Sequence, residues 1–199
     1  MLNKILNFLF PPTCINCNTE DEFLCENCLN QIKITYPKSN IPCSFHKNPI
    51  LRKAIHKFKY SFYKDLAKPL SKLLNPQKDA IIVPIPLHKK RLSFRGFNQS
   101  EELAKNLPNK TINLLQRVKK TSSQAKLSKI ERQNNIKGSF MINPRVDMPP
   151  KSSTLILLDD VCTTFSTMNE AALTLKKNGY NIVHTMALAY SELKNENRN

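Results

Sequence analysis

Two adjacent acids and a cluster of hydroxyl side chains lie where a buried strand leads into a helix. The strand, TLILLDD (154–160), ends in Asp159 and Asp160. The residues that open the helix are mostly hydroxylic: Thr163, Thr164, Phe165, Ser166 and Thr167. Free backbone N–H groups and hydroxyls at a helix start suit a phosphate, and carboxylates at a strand end can hold sugar hydroxyls directly or through Mg²⁺. An ordinary helix cap is the alternative, although a cap needs one hydroxyl and this turn has four.

Four cysteines near the amino terminus have the spacing of a metal site. Cys14 and Cys17, then Cys25 and Cys28, form two CxxC pairs separated by seven residues. Each pair places two thiolates on one tight turn, and two such turns can surround Zn²⁺ with bonds of about 2.3 Å. Two disulfides or a thioredoxin-like redox pair are the alternatives. We favour structural zinc, because a reducing compartment disfavours disulfides and a redox CxxC is normally a single copy that opens a helix.

The positive charge is concentrated in the middle of the chain. The 199 residues hold 31 Lys and Arg against 15 Asp and Glu, a net charge of +16. Residues 47–151 carry +18, whereas residues 1–46 and 152–199 each carry −1. Such a segment attracts nucleic acid or phosphorylated ligands. Compositional drift would spread lysine along the whole chain, and a membrane surface would favour a long basic amphipathic helix, so we favour a polyanion.

Eight basic residues of this middle region are candidates for binding DNA: Lys89, Lys90, Arg91, Arg95, Arg117, Lys119, Lys120 and Arg132. Aromatic residues lie among them and could stack on bases, although core packing is the alternative for most: Phe58, Tyr60, Phe62, Tyr63, Phe94 and Phe97.

The sequence favours a protein of the cytoplasm. No apolar run reaches the roughly 18–20 residues that a membrane span needs. The start, MLNKILNFLFPP, lacks the cleavage site of a secretory signal. We therefore expect a cytoplasmic protein, which could associate peripherally with the inner membrane through partners.

Hydrophobic periodicity predicts an α/β fold. Apolar residues recur at helical spacing in 48–58 and 65–74, and a further helix is predicted over 100–107. Strands are predicted at 80–86, 111–117, 154–160 and 182–190, with a basic loop at 88–99, a loop and helix at 119–137 and a linker at 143–153. Between the last two strands a helix ends at Gly179, and this strand–helix–strand order predicts a parallel sheet.

Several motifs together resemble known families. The turn at 159–167 resembles the phosphoribosyl-pyrophosphate (PRPP) motif of type I phosphoribosyltransferases. The CxxC pairs, the stretch VPIPLHKKRLSFRGFNQSEELA (83–104) and the spacing of Gln124, Arg132 and Asn135 then resemble the ComF family, which includes the ComFC competence proteins. The resemblance covers about residues 8–190. It implies a phosphoribosyltransferase type I fold at 47–191, a four-cysteine zinc module at 1–46 and a polar tail at 192–199.

The resemblance also implies residue roles. Asp159 and Asp160 match the pair that contacts the ribose of PRPP, with Mg²⁺, and the hydroxyls of 163–167 match its 5′-phosphate loop. The pyrophosphate and basic-loop positions are matched by Pro84, His88, Arg91, Arg95, Asn98 and Gln99. The family usually has glycine where this chain has Phe165, which could donate its N–H with a negative φ and its ring turned away. Cys162 is expected to pack in the core.

The resemblance implies handling of incoming single-stranded DNA in natural transformation, and the basic middle segment favours the same function. An active phosphoribosyltransferase, acting on an unidentified nitrogen acceptor, is the alternative. The near-neutral amino-terminal segment could instead dock a helicase or another DNA-processing protein.

Overall fold

The computed structural model describes residues 11–35, 43–45, 48–60, 63–119, 136–162 and 165–190, and at residues 34, 35 and 43–45 it describes the backbone. The helices, in chain order, are α1 (Glu26–Asn30), α2 (Pro49–Tyr60), α3 (Ala67–Ser71), α4 (Lys89–Arg95), α5 (Gln99–Lys105) and α6 (Ser166–Lys177). A 3₁₀ turn (Lys64–Leu66) precedes α3. The strands are β1 (Ile34–Thr35), β2 (Cys43–Phe45), β3 (Ile81–Pro84), β4 (Leu115–Arg117), β5 (Phe140–Ile142), β6 (Leu155–Cys162) and β7 (Val183–Tyr190).

The main sheet is built around β6. Its strand order is β1-β2-β7-β6-β3, with β3, β6, β7 and β2 parallel and β1 antiparallel to β2. Residues 155–158 are all buried, as expected for a parallel strand covered by helices on both faces. The predicted unit of strand, helix and strand over 154–190 is confirmed, and with it the α/β fold class.

Two predicted helices have the boundaries and faces expected from their patterns. In α2 the buried residues are Ile50, Leu51, Ala54, Ile55 and Phe58, which is the predicted apolar face. After α6, Gly179 has φ +89°, the left-handed conformation that closes a helix, and Tyr180 N–H donates to Leu175 O at 3.2 Å.

The basic segment 88–99 is not the predicted loop. It forms α4, which His88 caps by accepting from Lys90 N–H at 3.3 Å and which Gly96 ends with φ +76°. No helical period is visible in this stretch, because α4 has no buried residue and therefore no apolar face. Asn98 then caps α5, so the segment from the His88 cap to the Asn98 cap consists of α4 and a short turn.

The predicted strand over 111–117 is shorter than expected. It is the three-residue β4, and it pairs antiparallel with β5 in a separate two-stranded sheet. Gln116 lies opposite Met141 in this small sheet. No strand was predicted at β5, since three residues are too few to show a period.

The four-cysteine segment packs on the rest of the protein. Cys14, Leu24 and Leu29 belong to one buried cluster with Leu51 of α2 and Leu188 of β7. The domain limits 1–46, 47–191 and 192–199 stay a prediction, and residues 191–199 lie outside the described residues. Among the described helices, none has the length and apolarity to cross a membrane.

Candidate functional site

The acid pair lies in a cleft at the carboxyl end of the main sheet. β6 brings Asp159 and Asp160 to this edge, and α4, β4 and the start of α6 surround them. The cleft has a volume of about 180 Å³. Its charged lining residues are Lys59, Arg91, Arg95, Arg117, Asp159 and Asp160. Four basic side chains outnumber two acidic ones, so the charge of the cleft favours an anionic ligand. The turn at 159–167 predicts the same kind of ligand.

Hydrogen bonds fix both carboxylates. One oxygen of Asp159 accepts from the Ser100 hydroxyl at 3.1 Å and from Asp160 N–H at 2.9 Å. Asp160 accepts from Val161 N–H at 2.6 Å, and its second oxygen lies 2.9 Å from Lys59 Nζ. Burial raises the pKa of Asp159 to about 7, and the neighbouring Asp160 carboxylate adds to the rise. Lys59, Asp160 N–H and Ser100 act in the opposite direction.

Three arginines, Arg91, Arg95 and Arg117, line the same cleft. Burial lowers the pKa of Arg117 to about 10, and the neighbouring Arg91 adds to this effect. Burial also lowers the pKa of Arg91, with Arg95 as the next cause, while Tyr60 and the two acids favour its charged form. Such shifts still leave the guanidinium groups charged at neutral pH, so the cleft keeps its positive charges beside the acid pair.

Phe165 differs from the expected conformation. Its φ is +55° rather than negative, so the backbone adopts the left-handed form that glycine prefers at this position. Its ring stacks on Tyr190 with centroids 5.3 Å apart and planes 14° apart. Phe165 and Thr167 line the cleft and Ser166 is buried, whereas Thr163 and Thr164 lie outside the described residues.

Two predicted ligand-loop residues are buried and bonded to the scaffold. Asn98 donates to Ile85 O at 3.1 Å and accepts from Ser100 N–H at 3.2 Å. Gln99 donates to Phe58 O at 3.4 Å and accepts from Arg95 at 3.0 Å. Both residues therefore hold α4 and α5 in place. Neither Asn98 nor Gln99 lines the cleft, whereas Arg95, which bonds to Gln99, does.

The remaining predicted residues lie at the ends of elements, on the surface or outside the described residues. Pro84 ends β3, and His88 caps α4. Lys89, Lys90 and Lys119 are exposed. Four predicted positions lie outside the described residues: Lys120, Gln124, Arg132 and Asn135.

Sequence reasoning missed two residues of the site. Lys59 is the last lysine of α2 and looks like any other cation on a solvated helix face, yet it is 16% exposed and paired with Asp160. Ser100 follows a helix cap and carries no motif of its own, yet it holds Asp159. Only their position in the folded chain, beside RGFNQ and the acid pair, identifies these two residues as part of the site. The spacing of residues along the sequence does not reveal that position.

The four-cysteine cluster is a separate candidate metal centre. The four sulfur atoms lie within 4.8 Å of one another, and the Cys17 and Cys25 sulfurs are 3.5 Å apart. A tetrahedral S₄ zinc site needs sulfurs about 3.8 Å apart, so this geometry fits. Asn18 has φ +63°, and Asn18 N–H donates to Cys14 O at 2.9 Å, which closes the first turn.

Neighbouring N–H groups donate hydrogen bonds to the cysteine sulfurs. Cys25 N–H points to the Cys14 sulfur at 3.5 Å, and Asn16 donates to the Cys28 sulfur at 3.3 Å. Hydrogen bonding with Thr19 lowers the pKa of Cys17 to about 6. All four are free thiols, and they could hold a metal such as zinc. Cys162 is buried in the core near Met168, as predicted.

The fold and the cleft define an α/β protein with a predominantly basic cleft that holds an acid pair, and with four clustered cysteines that could hold a metal. No family model matches the chain. Competence protein F of Haemophilus influenzae is 30% identical over 195 residues, which cover 89% of this chain and 84% of that protein. DNA utilization protein YhgH of Escherichia coli K12 is 32% identical over 156 residues, 70% of this chain and 67% of that protein.

A third relative is Competence protein ComFC of Bacillus subtilis, 31% identical over 140 residues, 66% of this chain and 56% of that protein. The chain therefore belongs to the ComF family. The names of these relatives indicate a role in competence and DNA utilization.

Proposed function

We propose that the protein handles incoming single-stranded DNA in natural transformation and that its cleft binds PRPP with Mg²⁺. The observation that carries the proposal is that the Asp159–Asp160 pair and three arginines, Arg91, Arg95 and Arg117, line one cleft. Adjacent carboxylates suit the ribose hydroxyls and Mg²⁺, which prefers oxygen ligands. Fixed guanidinium groups suit the pyrophosphate. The relatives' names supply the DNA-related part of the proposal.

A paired titration tests this proposal. We would measure Mg²⁺-PRPP binding by calorimetry and single-stranded DNA binding by fluorescence anisotropy, using wild type and Asp159→Asn/Asp160→Asn. We expect PRPP affinity to fall at least about tenfold, because the ribose and Mg²⁺ lose their carboxylate ligands. DNA affinity should be retained, since the acids repel phosphates. Asp79→Asn, an exposed acid outside the cleft, is the control.

Two outcomes would contradict the proposal. Unchanged PRPP affinity in the double variant would exclude the acid pair as its site. DNA affinity that stays flat as salt rises would exclude an electrostatic DNA surface, since each neutralised phosphate contributes to the slope.

An active phosphoribosyltransferase is the second candidate. In this reaction the acids of the cleft would stabilise the positive charge that develops on the sugar, and the arginines would bind the leaving pyrophosphate. The C1–O bond to pyrophosphate breaks, the pyrophosphate keeps the electron pair, and a nitrogen nucleophile forms the new C1–N bond and loses a proton. Pyrophosphate release with a panel of bases and amines tests this activity, and no release above buffer would reject it for those acceptors.

We also propose that the four cysteines hold zinc and that the surface beside them docks a DNA-processing protein such as a helicase. A groove of about 510 Å³ lies between this segment and α3, with an apolar floor that includes Phe23 and Leu29. Its lining carries four acids, Asp21, Glu22, Glu26 and Asp65, against two lysines, Lys68 and Lys72, so it is net acidic in a strongly basic chain. A basic segment with apolar anchors complements this groove.

Charge reversal tests the docking surface. Glu22→Lys/Glu26→Lys should weaken binding of a purified helicase partner, measured by sedimentation, and leave the affinity for single-stranded DNA unchanged or higher. Both side chains are exposed, so folding should be retained. A loss of DNA affinity would instead place this surface in DNA binding.

A further inference from the structure

Two aromatic side chains stand out on the basic face of the protein. Phe94 of α4 is 74% exposed and Tyr60 of α2 is 54% exposed, the two largest values among the exposed large hydrophobic side chains that the structure describes. The other described aromatic candidates do not share this exposure: Phe58 is fully buried, and Tyr63 and Phe97 pack against the core. A single exposed apolar side chain is ordinary, whereas neighbouring exposed rings that form one patch often mark a binding site.

The two rings belong to one local surface. Tyr60 and Phe94 line the same small pocket, of about 90 Å³, together with Lys59 and Arg95. The Arg95 guanidinium lies 5.5 Å from the centre of the Tyr60 ring, and His56 contacts the same ring at 5.2 Å. These contacts fix the orientation of Tyr60 and leave half of its surface open to a ligand. Lys59 and Arg95 also line the acid-pair cleft, so this surface lies at its mouth.

The two helices that carry the rings bear charge of one sign, and one of their cations, Lys59, pairs with Asp160 of the cleft. The helices α2 and α4 carry eight basic side chains and no acid along their lengths: Arg52, Lys53, Lys57, Lys59, Lys89, Lys90, Arg91 and Arg95. A protein partner would need a strongly acidic surface with apolar side chains to match this face. A single-stranded nucleic acid offers both features in every nucleotide, a phosphate for the cations and a flat base for the rings.

We propose that Tyr60 and Phe94 form a stacking platform for the bases of single-stranded nucleic acid, with the lysines and arginines of α2 and α4 holding its phosphates. This inference rests on the proposed DNA-handling function and names the residues that would carry it. Stacking on aromatic rings tolerates any base sequence, so the platform binds strands without sequence preference. It also places a bound strand beside the cleft that contains Asp159 and Asp160.

The test compares aromatic and basic variants. A fluorescent single-stranded oligonucleotide of roughly 20 nucleotides is titrated with wild type, Tyr60→Ala, Phe94→Ala and the double variant. Each single change should weaken binding about tenfold, because each removes the ring on which one base stacks. The dependence of affinity on salt should keep its slope in these variants, since stacking releases no counterions. Lys89→Ala/Lys90→Ala should lower that slope by about 2.

Three controls sharpen the comparison. Tyr60→Phe keeps the ring and should bind as wild type does. Leu173→Ala removes an equally exposed apolar side chain from α6 and should have no effect. An abasic oligonucleotide should bind wild type and the double variant with equal affinity, because it has no bases to stack.

Two failures have different meanings. If wild type binds the oligonucleotide with a steep salt dependence but the aromatic variants bind equally well, the stacking platform is wrong and the DNA-handling function stands. The exposed rings would then belong to a protein-docking surface. If wild type does not bind the oligonucleotide, both the platform and the DNA-binding part of the proposed function are wrong.

Discussion

At the scale of single residues, Phe165 combines two opposing contributions to stability. The left-handed backbone at φ +55° costs a residue with a side chain about 1–2 kcal/mol. Stacking on Tyr190 returns about 0.5–1.5 kcal/mol beyond the apolar area that the ring buries. The ring therefore offsets the strain of a position that glycine would occupy without strain.

Substitution of Phe165 should separate these contributions. Phe165→Ala loses the stack and keeps most of the backbone strain, so its free energy of unfolding should fall by about 1–3 kcal/mol. Phe165→Gly loses the stack but also removes the strain, so it should be about 1 kcal/mol more stable than Phe165→Ala. Urea unfolding measures both values. Equal stability of the two variants would show that the left-handed backbone costs nothing here.

Asp159 should make stability depend on pH. In the folded protein this carboxyl group keeps its proton up to about pH 7, whereas in the unfolded chain it loses it near pH 4. The folded state therefore binds more protons between these values, and the free energy of unfolding falls as pH rises from about 4 to 7. Above pH 7 this contribution is constant.

Asp159→Asn removes the titrating group and should remove that dependence. Relative to wild type, the variant should gain stability between pH 5 and pH 8, by about 2 kcal/mol. Urea unfolding at several pH values measures the difference, with the exposed Asp79→Asn as control. A difference that stays constant over this range would contradict the raised pKa of Asp159.

The acid pair, the cysteine pairs and the arginines were identifiable from the sequence because each belongs to a short local pattern. Lys59 was not, since it comes within reach of Asp160 only when α2 packs beside β6. The conformation of Phe165 was also mispredicted. Its φ depends on a ring contact with Tyr190, 25 residues further along the chain.

At the scale of elements, the buried strands and the amphipathic helices were predictable, and the exposed or very short elements were not. α2 and β6 have clear apolar patterns because each buries a face or a whole strand. α4 buries nothing and is defined by its caps, His88 and Gly96, rather than by a period. β5 has three residues and depends on its partner β4.

Asn98 joins two elements, so its loss should cost more than that of an ordinary cap. It caps α5 and also donates to Ile85 O, just beyond β3, from a buried position. Asn98→Ala should lower the free energy of unfolding by about 2–3 kcal/mol, because the cap and the partner of a buried carbonyl are both lost. Asn98→Ser keeps a capping oxygen and should lose less. Urea unfolding measures each value.

Asn48 provides a matched control for this prediction. It also accepts from a helix N–H, that of Leu51, and donates to a carbonyl, that of Gln31, but the second bond is exposed. Asn48→Ala should therefore cost about 1 kcal/mol, the value of a cap alone. Equal losses at Asn48 and Asn98 would show that the buried carbonyl of Ile85 finds another donor.

At the scale of the whole molecule, the four-cysteine segment and the sheet share one core. Cys14 and Leu29 belong to the same buried cluster as Leu51 and Leu188. Metal removal should therefore destabilise the entire fold in one transition rather than melt a separate module. The purified protein should hold about one zinc per chain.

Calorimetry with and without a chelator, together with metal analysis, tests this expectation. Chelation should lower the midpoint of a single unfolding transition. Cys14→Ser should lose the zinc, whereas Cys162→Ser, which alters a buried thiol elsewhere in the core, should retain it. Two separate transitions, with the second unaffected by the chelator, would show that the segment folds independently.

The pairing of β2 with β7 also affects how the protein is made. Ser44 pairs with Ala189, so strands far apart in the sequence meet in the sheet. β2 can pair with β1 early, but its pairing with β7 must wait until residues 183–190 have left the ribosome. Long-range pairing of this kind is also slow to form. A metal bound early would hold the cysteine turns in their final shape during this wait, so zinc supply during translation, rather than after it, should govern the yield of folded protein.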